Sequence, residues 1–229
     1  MRGANYLSDK RKITAGESAF EVIAVDLFEV PQPLFHALDR PDSRMQLALA
    51  RARAAEASGD AAAAAEAKVP FVFAVNVHVP GPPYYNVVFY MVPRRAGMLD
   101  EETPFARVAR PFFFGDDDAF RDTTFKLIPR ISEGPFIVRQ AVGTKPAILG
   151  TKLKQTYFRN EHYCELNLDI ASSAVAANIT RLALSYAKQL VVDMCFVFEG
   201  KTVDQLPERV VGCSSCVALD FTKGRRLLD

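Results

Sequence analysis

The sequence predicts an α+β domain in which an antiparallel sheet of about six to eight strands packs on a long C-terminal helix. Three observations lead to this prediction. Short segments rich in Val, Ile, Phe and Tyr recur along the chain with turn residues between them, as is typical of strands. An Ala-rich stretch interrupts these segments once. After the strands comes a segment whose apolar residues are spaced three and four apart, as on one face of a helix. Strands followed by a packed helix are typical of the α+β class.

The size and composition of the chain suit a single domain spanning residues 1–229. Apolar residues make up 49% of the sequence, which is enough for a hydrophobic core. The net charge of +1 gives no basic field, so we expect no nucleic-acid partner. The N-terminus lacks the apolar segment of a secretory signal, and four cysteines do not make a disulfide framework in this length. A cytoplasmic protein is therefore expected.

The first half of the chain contains three predicted strands and one insertion. Phe20–Val30 is rich in β-branched and aromatic residues and ends at two prolines, which cannot donate to a sheet. Phe71–Val79 and Tyr84–Val92 have similar lengths and flank a Gly- and Pro-rich turn, which predicts an antiparallel hairpin. Residues 42–68 are dominated by Ala and contain a polar break at 58–60, which predicts two short helices. We expect this insertion to be exposed and dispensable.

The strands of the second half begin with a basic pattern. Phe125–Ile131 alternates apolar and basic residues, so Lys126 and Arg130 project to the same face. Pro129 in its middle indicates an edge strand or a bulge, because proline lacks the N–H group. After a turn, Phe136–Val142 is predicted to form the next strand.

The last elements are a hairpin, the long helix and a terminal strand. Lys152–Arg159 and Tyr163–Ile170 form the predicted hairpin around a polar turn. The helix begins after Ser172-Ser173, either of which can cap its first turn. We expect the helix to continue through Leu190–Phe198, which is apolar nearly all round and should be buried. The segment LPERVVGCSSCVALDF, at residues 206–221, is predicted to be a terminal strand.

Three motifs suggest chemistry, and each has a structural alternative that we favour. Asp116–Asp118 offers the oxygen ligands of hard cations, but an acidic turn with one Asp capping a helix near Phe120 fits better. The pair Cys213 and Cys216 lies in a predicted strand, whereas activated thiolates lie at helix N-termini. Ser172-Ser173 has no nearby His and no G-x-S-x-G elbow. We predict no enzyme activity, no metal and no cofactor; a hydrolase or transferase assembled from separate strands is a third alternative.

The three histidines also favour a structural interpretation. His78 lies near the end of a predicted strand, where a polar residue with a hydrogen-bond partner is expected. Neither His36 nor His162 has a His or Cys at the spacing of zinc ligands. A zinc site is therefore not predicted.

Five long stretches of the sequence carry a family pattern. They are RGANYLSDKRK with AFEVIAVDLF, PYYNVVFYMVP, GDDDAFRDTTFKLIPRISEGPFIVRQAVGTKPAILG, YCELNLDIASSAVA and LVVDMCFVFEGKTVDQLPERVVG. Together they resemble the C-terminal domain of the plant Enhanced Disease Resistance 2 proteins, from residue 2 to about residue 220, with a break at the Ala-rich insertion. One departure is Phe136, where the family commonly has Trp; Phe can fill the same apolar site without the indole N–H.

The resemblance implies a module of lipid-associated proteins. In plant members this domain follows a pleckstrin-homology domain and a START lipid-transfer domain. These proteins are associated with phosphoinositide recognition and with negative regulation of defence and cell death. Neither upstream domain falls within these 229 residues. The resemblance therefore implies the C-terminal module alone.

We expect a non-catalytic module that binds a lipid or another apolar ligand. Strands curving around an apolar helix, as in START-like helix-grip folds, can enclose a cavity with a few polar anchors. Lys126, Arg130 and Arg139 are the candidate contacts to an anionic head group, with Tyr157 and Arg159 as further candidates. The alternative for each is a solvated strand face or an ion pair.

Two partners and one alternative function complete the expectations. Lys10, Arg11 and Lys12 are three consecutive basic residues. We expect them either to contact an anionic membrane peripherally or to form a solvated segment before the first strand. The alternative function is a protein-interaction or regulatory domain without a small ligand, which a filled interior and an exposed apolar patch would favour.

Overall fold

The computed structural model describes residues 1–227, and the elements found there confirm the α+β class. The helices are α1 (Tyr6–Asp9), α2 (Arg44–Ala57), α3 (Ala61–Glu66), α4 (Pro104–Phe114), α5 (Asp118–Asp122), α6 (Phe136–Val142) and α7 (Ala174–Ser185). The strands are β1 (Phe20–Val30), β2 (Val72–Val79), β3 (Tyr84–Pro93), β4 (Phe125–Glu133), β5 (Ala147–Ile148), β6 (Lys154–Arg159), β7 (Tyr163–Asp169), β8 (Val191–Phe198), β9 (Val210–Val217) and β10 (Arg225–Arg226). None of the helices within the described range is long and apolar enough to cross a membrane.

The strands form two sheets rather than the single antiparallel sheet that the sequence predicted. The six-stranded sheet has the order β10-β1-β3-β2-β7-β6, and the four-stranded sheet has the order β5-β4-β8-β9. Two pairs are parallel, β1 with β10 and β2 with β7. Parallel neighbours need a long crossover between them, and here more than eighty residues separate β2 from β7. Because that crossover includes β4, the segment that links the two strands also begins the second sheet.

The main core lies between the two sheets and is rich in phenylalanine. Phe73 on β2 makes an edge contact with Phe125 on β4, with 5.9 Å between ring centroids. Phe112 from α4 packs against Phe198 on β8 at 4.3 Å. These rings are buried, and aromatic pairs at such distances add about 0.5–1.5 kcal/mol each to the free energy of burial. The shared core joins the two sheets and α4 into one body.

The opposite face of the six-stranded sheet is covered by the segment before α2 and by α2 itself. Leu38 and Met45 are buried there against Val72, Tyr90 and other side chains of the sheet. The two predicted helices of the insertion are present, and Asp60 caps α3 by accepting hydrogen bonds from two N–H groups. The expectation of an exposed insertion is correct for α3, which buries no residue, and wrong for α2 at Met45.

The prediction of one long C-terminal helix is wrong. Helix α7 ends at Ser185, and Leu190–Phe198 contributes the strand β8, which lies between β4 and β9. A short apolar run fits a buried helix and a buried strand equally well by periodicity. The three valines of VVDMCFVF, which are β-branched, favour the strand. Ser173 caps α7 as expected, since its side chain accepts a hydrogen bond from the N–H of Ala176.

The predicted strand Phe136–Val142 is the helix α6, so this prediction is also wrong. Its apolar composition suited a strand, but Val138 and Val142 stand four residues apart and face inward on a helix. The helix ends at Gly143, whose φ of 66° is a conformation that L side chains rarely adopt. Tertiary packing of these two valines outweighs the local β-propensity.

The other predicted strands are confirmed within one or two residues, except the terminal one, which is four residues shorter at each end than predicted. The hairpins β2–β3 and β6–β7 are antiparallel as expected. The terminal strand around the last two cysteines is β9. Pro129 lies in β4 beyond the point where the short partner β5 ends, so its missing N–H leaves no gap in the ladder on that side.

Candidate functional site

An apolar cavity of about 250 Å³ lies between the two sheets and is closed on one side by α7. Strands of both sheets and the helices α6 and α7 contribute to its wall. The lining side chains are those of Val77, Val79, Val87, Phe89, Leu127, Ile131, Val142, Leu149, Leu153, Leu168, Ile170, Ile179, Thr180, Ala183, Leu184, Ala187, Leu190, Val192, Met194, Phe196, Cys216, Leu219 and Phe221. The cavity therefore lies beside the aromatic core, between that core and α7.

The chemistry of the cavity wall is almost uniformly apolar. Thr180 and Cys216 provide the polar atoms among the lining side chains, and no lining residue is a carboxylate, an amine or a guanidinium. Burial raises the pKa of the Cys216 thiol, so that thiol stays neutral at physiological pH. Such a site attracts hydrocarbon groups and offers an ionised group no partner, because an unpaired charge is costly to bury.

The helices at the cavity wall are held by close packing. Val138 of α6 is fully buried against Ile131 and Leu190, and residues of α7 pack beside them. Gly134 begins the turn into α6 at φ 142°, and a Cβ there would lie 2.3 Å from the Leu190 side chain. Only glycine fits this approach, so the turn sets where α6 meets the sheet.

The predicted contact Lys126 is an internal ion-pair residue. Its side chain is 7% exposed, and its Nζ lies 2.6 Å from Glu208 Oε1 and 3.6 Å from Glu199 Oε2. Arg2 completes the cluster, since its guanidinium lies 3.1 Å from Glu199. Two cations therefore face two carboxylates. The charge of Lys126 is compensated within this buried cluster, so Lys126 is not placed to contact a head group.

Arg130 and Arg139 are exposed, as a head-group contact requires, but they lie outside the cavity wall. Arg130 shares the outer face of β4 with Lys126, as predicted, and stands opposite Asp193 of β8. Arg139 lies on α6. Phe136, which was expected to fill an apolar site, is 70% exposed. The reason is helical geometry: position 136 is about 200° around α6 from the buried Val138.

Tyr157 and Arg159 lie on β6 and form hydrogen bonds with α5 and with the turn between α4 and α5. The Tyr157 hydroxyl donates to Asp122 at 2.8 Å, and burial together with that carboxylate raises the pKa of the phenol. Arg159 donates to the carbonyl of Gly115 and lies 3.4 Å from Asp116. The five predicted contacts thus do not converge on one site, and none of them lines the cavity.

Comparison with known proteins shows which family the chain belongs to. The model of the family described as "Protein ENHANCED DISEASE RESISTANCE 2, C-terminal" matches residues 1–220. The chain belongs to this family. It is also 36% identical over 212 residues to the Arabidopsis thaliana protein named "Protein ENHANCED DISEASE RESISTANCE 2-like", an alignment that covers 93% of the chain and 26% of that relative. The chain thus spans about a quarter of the relative's length. No solved structure matches it.

The acidic motif of this family member is an acidic turn, as predicted. Asp117 caps α5 by accepting from the N–H of Phe120 at 2.9 Å, while Asp116 pairs with Arg159. Asp118 lies 2.6 Å from Arg121, whose side chain is fully buried and also donates to the carbonyl of Phe112. The three carboxylates point to different partners. Within residues 1–227, no group of three or more His, Cys, Asp or Glu side chains is placed to hold a metal ion.

The first and last family motifs meet at the ion-pair cluster. The N–H of Arg2 donates to Glu208 Oε2 at 2.9 Å, and the N–H of Glu208 donates to the Arg2 carbonyl at 3.0 Å. The basic run Lys10–Lys12 lies on the returning half of this N-terminal turn, where Lys12 pairs with Arg2. Its residues are exposed, and Lys10 Nζ donates to the carbonyl of Leu7 at 2.8 Å. The segment is therefore a folded part of this family's domain.

A pair of thiols that the sequence did not suggest lies on the outer face of the four-stranded sheet. Cys213 stands opposite Cys195 on the neighbouring strand rather than acting with Cys216. A hydrogen bond from the Cys195 thiol lowers the pKa of Cys213 to about 7 and raises that of Cys195. Only strand register brings these two residues together, so spacing along the chain could not reveal the pair.

A buried polar network is the second feature that the sequence reasoning missed. Glu165 is fully buried and accepts hydrogen bonds from the N–H groups of Ala37 and Leu38, both at 2.9 Å. Asn76 donates to Glu165 at 3.1 Å and to Asn167 at 2.9 Å. The available signal was the recurrence of Asn and Glu at alternate positions of otherwise apolar strands. The network anchors the segment that precedes α2.

His78 belongs to this network and lies buried near the end of β2. The expectation of a polar residue with a hydrogen-bond partner at the end of this strand is confirmed. Its Nε2 is 3.1 Å from Asn167 Oδ1, and Phe35 contacts the ring edge-on. Burial lowers the pKa of His78, so the ring is neutral at physiological pH.

Proposed function

We propose that this domain is a non-catalytic binding module that encloses an apolar ligand, or the apolar part of a lipid, between its two sheets. The observation that carries the proposal is the cavity itself. Its wall is built from more than twenty side chains of which Thr180 and Cys216 have polar atoms. Concave sites with predominantly apolar walls are the usual form of small-molecule sites.

The size of the cavity limits what it would hold. An engineered apolar cavity of about 150 Å³ stays dry and binds benzene, whereas drug-sized ligands occupy roughly 300–1,000 Å³. A volume of about 250 Å³ falls between these cases. It suits one ring system or a segment of one hydrocarbon chain rather than an entire two-chain lipid. A charged head group would stay outside, because the wall offers it no ionic partner.

The proposal includes a peripheral position on anionic membranes facing the cytoplasm. Lys10, Arg11 and Lys12 remain candidates for this contact, because all three side chains are exposed on the folded N-terminal turn. Each basic residue near an anionic surface contributes about 1 kcal/mol of attraction. The relative named for Enhanced Disease Resistance 2 is about four times longer than the region it shares with this chain, so contacts made by its other parts lie outside this proposal.

Uptake of lipid from vesicles tests the ligand proposal. The protein is incubated with vesicles carrying isotope-labelled lipids and fatty acids, re-isolated by size exclusion, and analysed for bound label. Ala183→Phe fills part of the cavity and should abolish uptake, while Ala174→Phe, on the exposed start of the same helix, should leave it unchanged. Equal uptake by both variants, or no uptake by the parent protein, would contradict the proposal.

A protein-interaction domain without a ligand is the second candidate. The observation in its favour is the exposure of two adjacent apolar side chains, Phe136 and Ile137, on α6. Exposed apolar patches mark interaction sites on many soluble proteins. This candidate requires a cavity that stays empty, so the uptake experiment separates it from the first.

A further inference from the structure

Helix α6 presents large apolar side chains to solvent beside unpaired basic ones. Phe136 is 70% exposed and Ile137 is 56% exposed. Residues three and four apart lie on one face of a helix, so Phe136 shares its outward face with Arg139 and Gln140. The inward face is fixed by the buried Val138. The apolar exposure is therefore a property of a held helix and not of a loose segment.

The charges around α6 are predominantly positive. Arg139 on the helix and Lys145 just beyond it are exposed, and in the part of the chain that the structure describes neither of them makes an ion pair. Glu133 is the acidic residue of the segment between Arg130 and Lys145. Two cations and one carboxylate leave this surface with a net charge of +1.

We propose that α6 docks the domain on an anionic lipid bilayer. Phe136 and Ile137 enter the boundary between head groups and acyl chains, while Arg139, supported by Lys145, contacts anionic head groups. Amphipathic helices with an aromatic and aliphatic face and basic flanks bind membranes in this way. Charge complementarity favours a bilayer over a second copy of this chain, because two copies would bring the same cations together at a shared face.

Docking through α6 would also give the cavity a defined source of ligand. Val142, one turn beyond Val138, lines the cavity, so the inner face of the docking helix is part of the cavity wall. This consequence rests on the proposed function of the cavity, whereas docking rests on the exposed apolar and basic residues of α6 and names a contact for the membrane position proposed above. Vesicle binding and ligand occupancy are therefore measured separately.

Co-sedimentation with phosphatidylcholine vesicles, with and without phosphatidylserine, tests the docking. The parent protein should bind vesicles that contain phosphatidylserine. The double variant F136S/I137S should weaken this binding at least tenfold, because it removes the inserted apolar groups. V203S/V217S is the matched control, since Val203 and Val217 are 72% and 64% exposed elsewhere and should be silent.

The electrostatic part has its own pair of variants. Arg139→Gln should weaken binding to the anionic vesicles about fivefold and have no effect without phosphatidylserine. Arg53→Gln, an exposed arginine of the insertion, should leave binding unchanged. The triple variant K10Q/R11Q/K12Q should keep most of the binding if α6 is the principal contact.

Three outcomes would overturn the docking proposal. They are equal vesicle binding by F136S/I137S and its control, loss of binding with the N-terminal triple variant alone, and a dimer in sedimentation equilibrium that F136S/I137S dissolves. Vesicle binding that persists in a variant with a filled cavity, Ala183→Phe, supports docking even where ligand uptake fails. Failure of the ligand proposal is thereby distinguished from failure of this one.

Discussion

Substitution of Glu165 tests whether its hydrogen bonds hold the segment before α2 on the six-stranded sheet. Its buried carboxylate is the acceptor for the N–H groups of Ala37 and Leu38, each at 2.9 Å. Glu165→Ala leaves these two buried donors without an acceptor, and each orphaned donor costs about 1–3 kcal/mol. Asn76 loses one acceptor as well but keeps the carbonyl of Leu34 at 3.0 Å. We therefore expect the free energy of unfolding to fall by about 2–6 kcal/mol.

The conservative variant narrows the interpretation. Glu165→Gln keeps one acceptor oxygen and places an amide N–H₂ against the other backbone donor, so one donor is orphaned and the loss should be about 1–3 kcal/mol. Urea unfolding followed by circular dichroism gives both free energies, and hydrogen exchange at Ala37 and Leu38 shows whether the effect is local. The control Glu161→Gln, whose carboxyl side chain is 85% exposed, should change stability by less than about 0.5 kcal/mol. A Glu165→Gln protein as stable as its parent would refute the reasoning.

Three further predictions concern the ion-pair cluster, the thiols and the insertion. Lys126→Ala should lower the free energy of unfolding by about 3 kcal/mol or more, because Glu208 loses its nearest cation while buried. Alkylation of Cys213 should be half-maximal near pH 7, since its lowered pKa gives thiolate at lower pH, and Cys195→Ala should move the midpoint upward. Met45→Ala should destabilise the protein by about 2–5 kcal/mol, as expected for a buried core residue.

Each of these predictions has a control within the chain. Arg130→Ala, on the same strand as Lys126 but exposed, should change the unfolding midpoint in urea little. Cys216, whose pKa is raised by burial, should remain unmodified across the same pH range in peptide mass spectra. Leu47→Ala, at a half-exposed position of the same helix as Met45, should cost less than about 1 kcal/mol. Equal effects at a test position and its control would contradict the corresponding assignment.

Local patterns in the sequence predicted most strands and helix caps correctly. Phe20–Val30 and the two strands of the hairpin from Val72 to Pro93 are rich in β-branched and aromatic residues and are bounded by Gly and Pro. This combination is typical of strands and turns. Asp117 and Ser173 cap helices as expected, because caps depend on residues only a few positions apart. The family was also predictable, since its motifs are long and occur in a fixed order.

The errors arose where tertiary contacts decide between local alternatives. Leu190–Phe198 became a strand because it lies between β4 and β9, and Phe136–Val142 became a helix because Val138 and Val142 pack on the sheet. Lys126 was predicted to be a ligand contact because its ion-pair partner, Glu208, is eighty-two positions away and local sequence patterns could not reveal it. The cavity was anticipated as a possibility of the fold class, but its wall combines two sheets that periodicity could not distinguish from one.

Native mass spectrometry of the purified protein, followed by organic extraction, tests the central claim most directly. If the cavity holds an apolar ligand, the parent protein should carry a co-purifying small apolar molecule or take one up stoichiometrically from vesicles. Ala183→Phe should reduce this occupancy, and Ala174→Phe should not. A parent protein that is free of ligand before and after exposure to vesicles would contradict the ligand proposal and favour a domain without a small ligand, whereas docking through α6 is decided by the vesicle-binding variants.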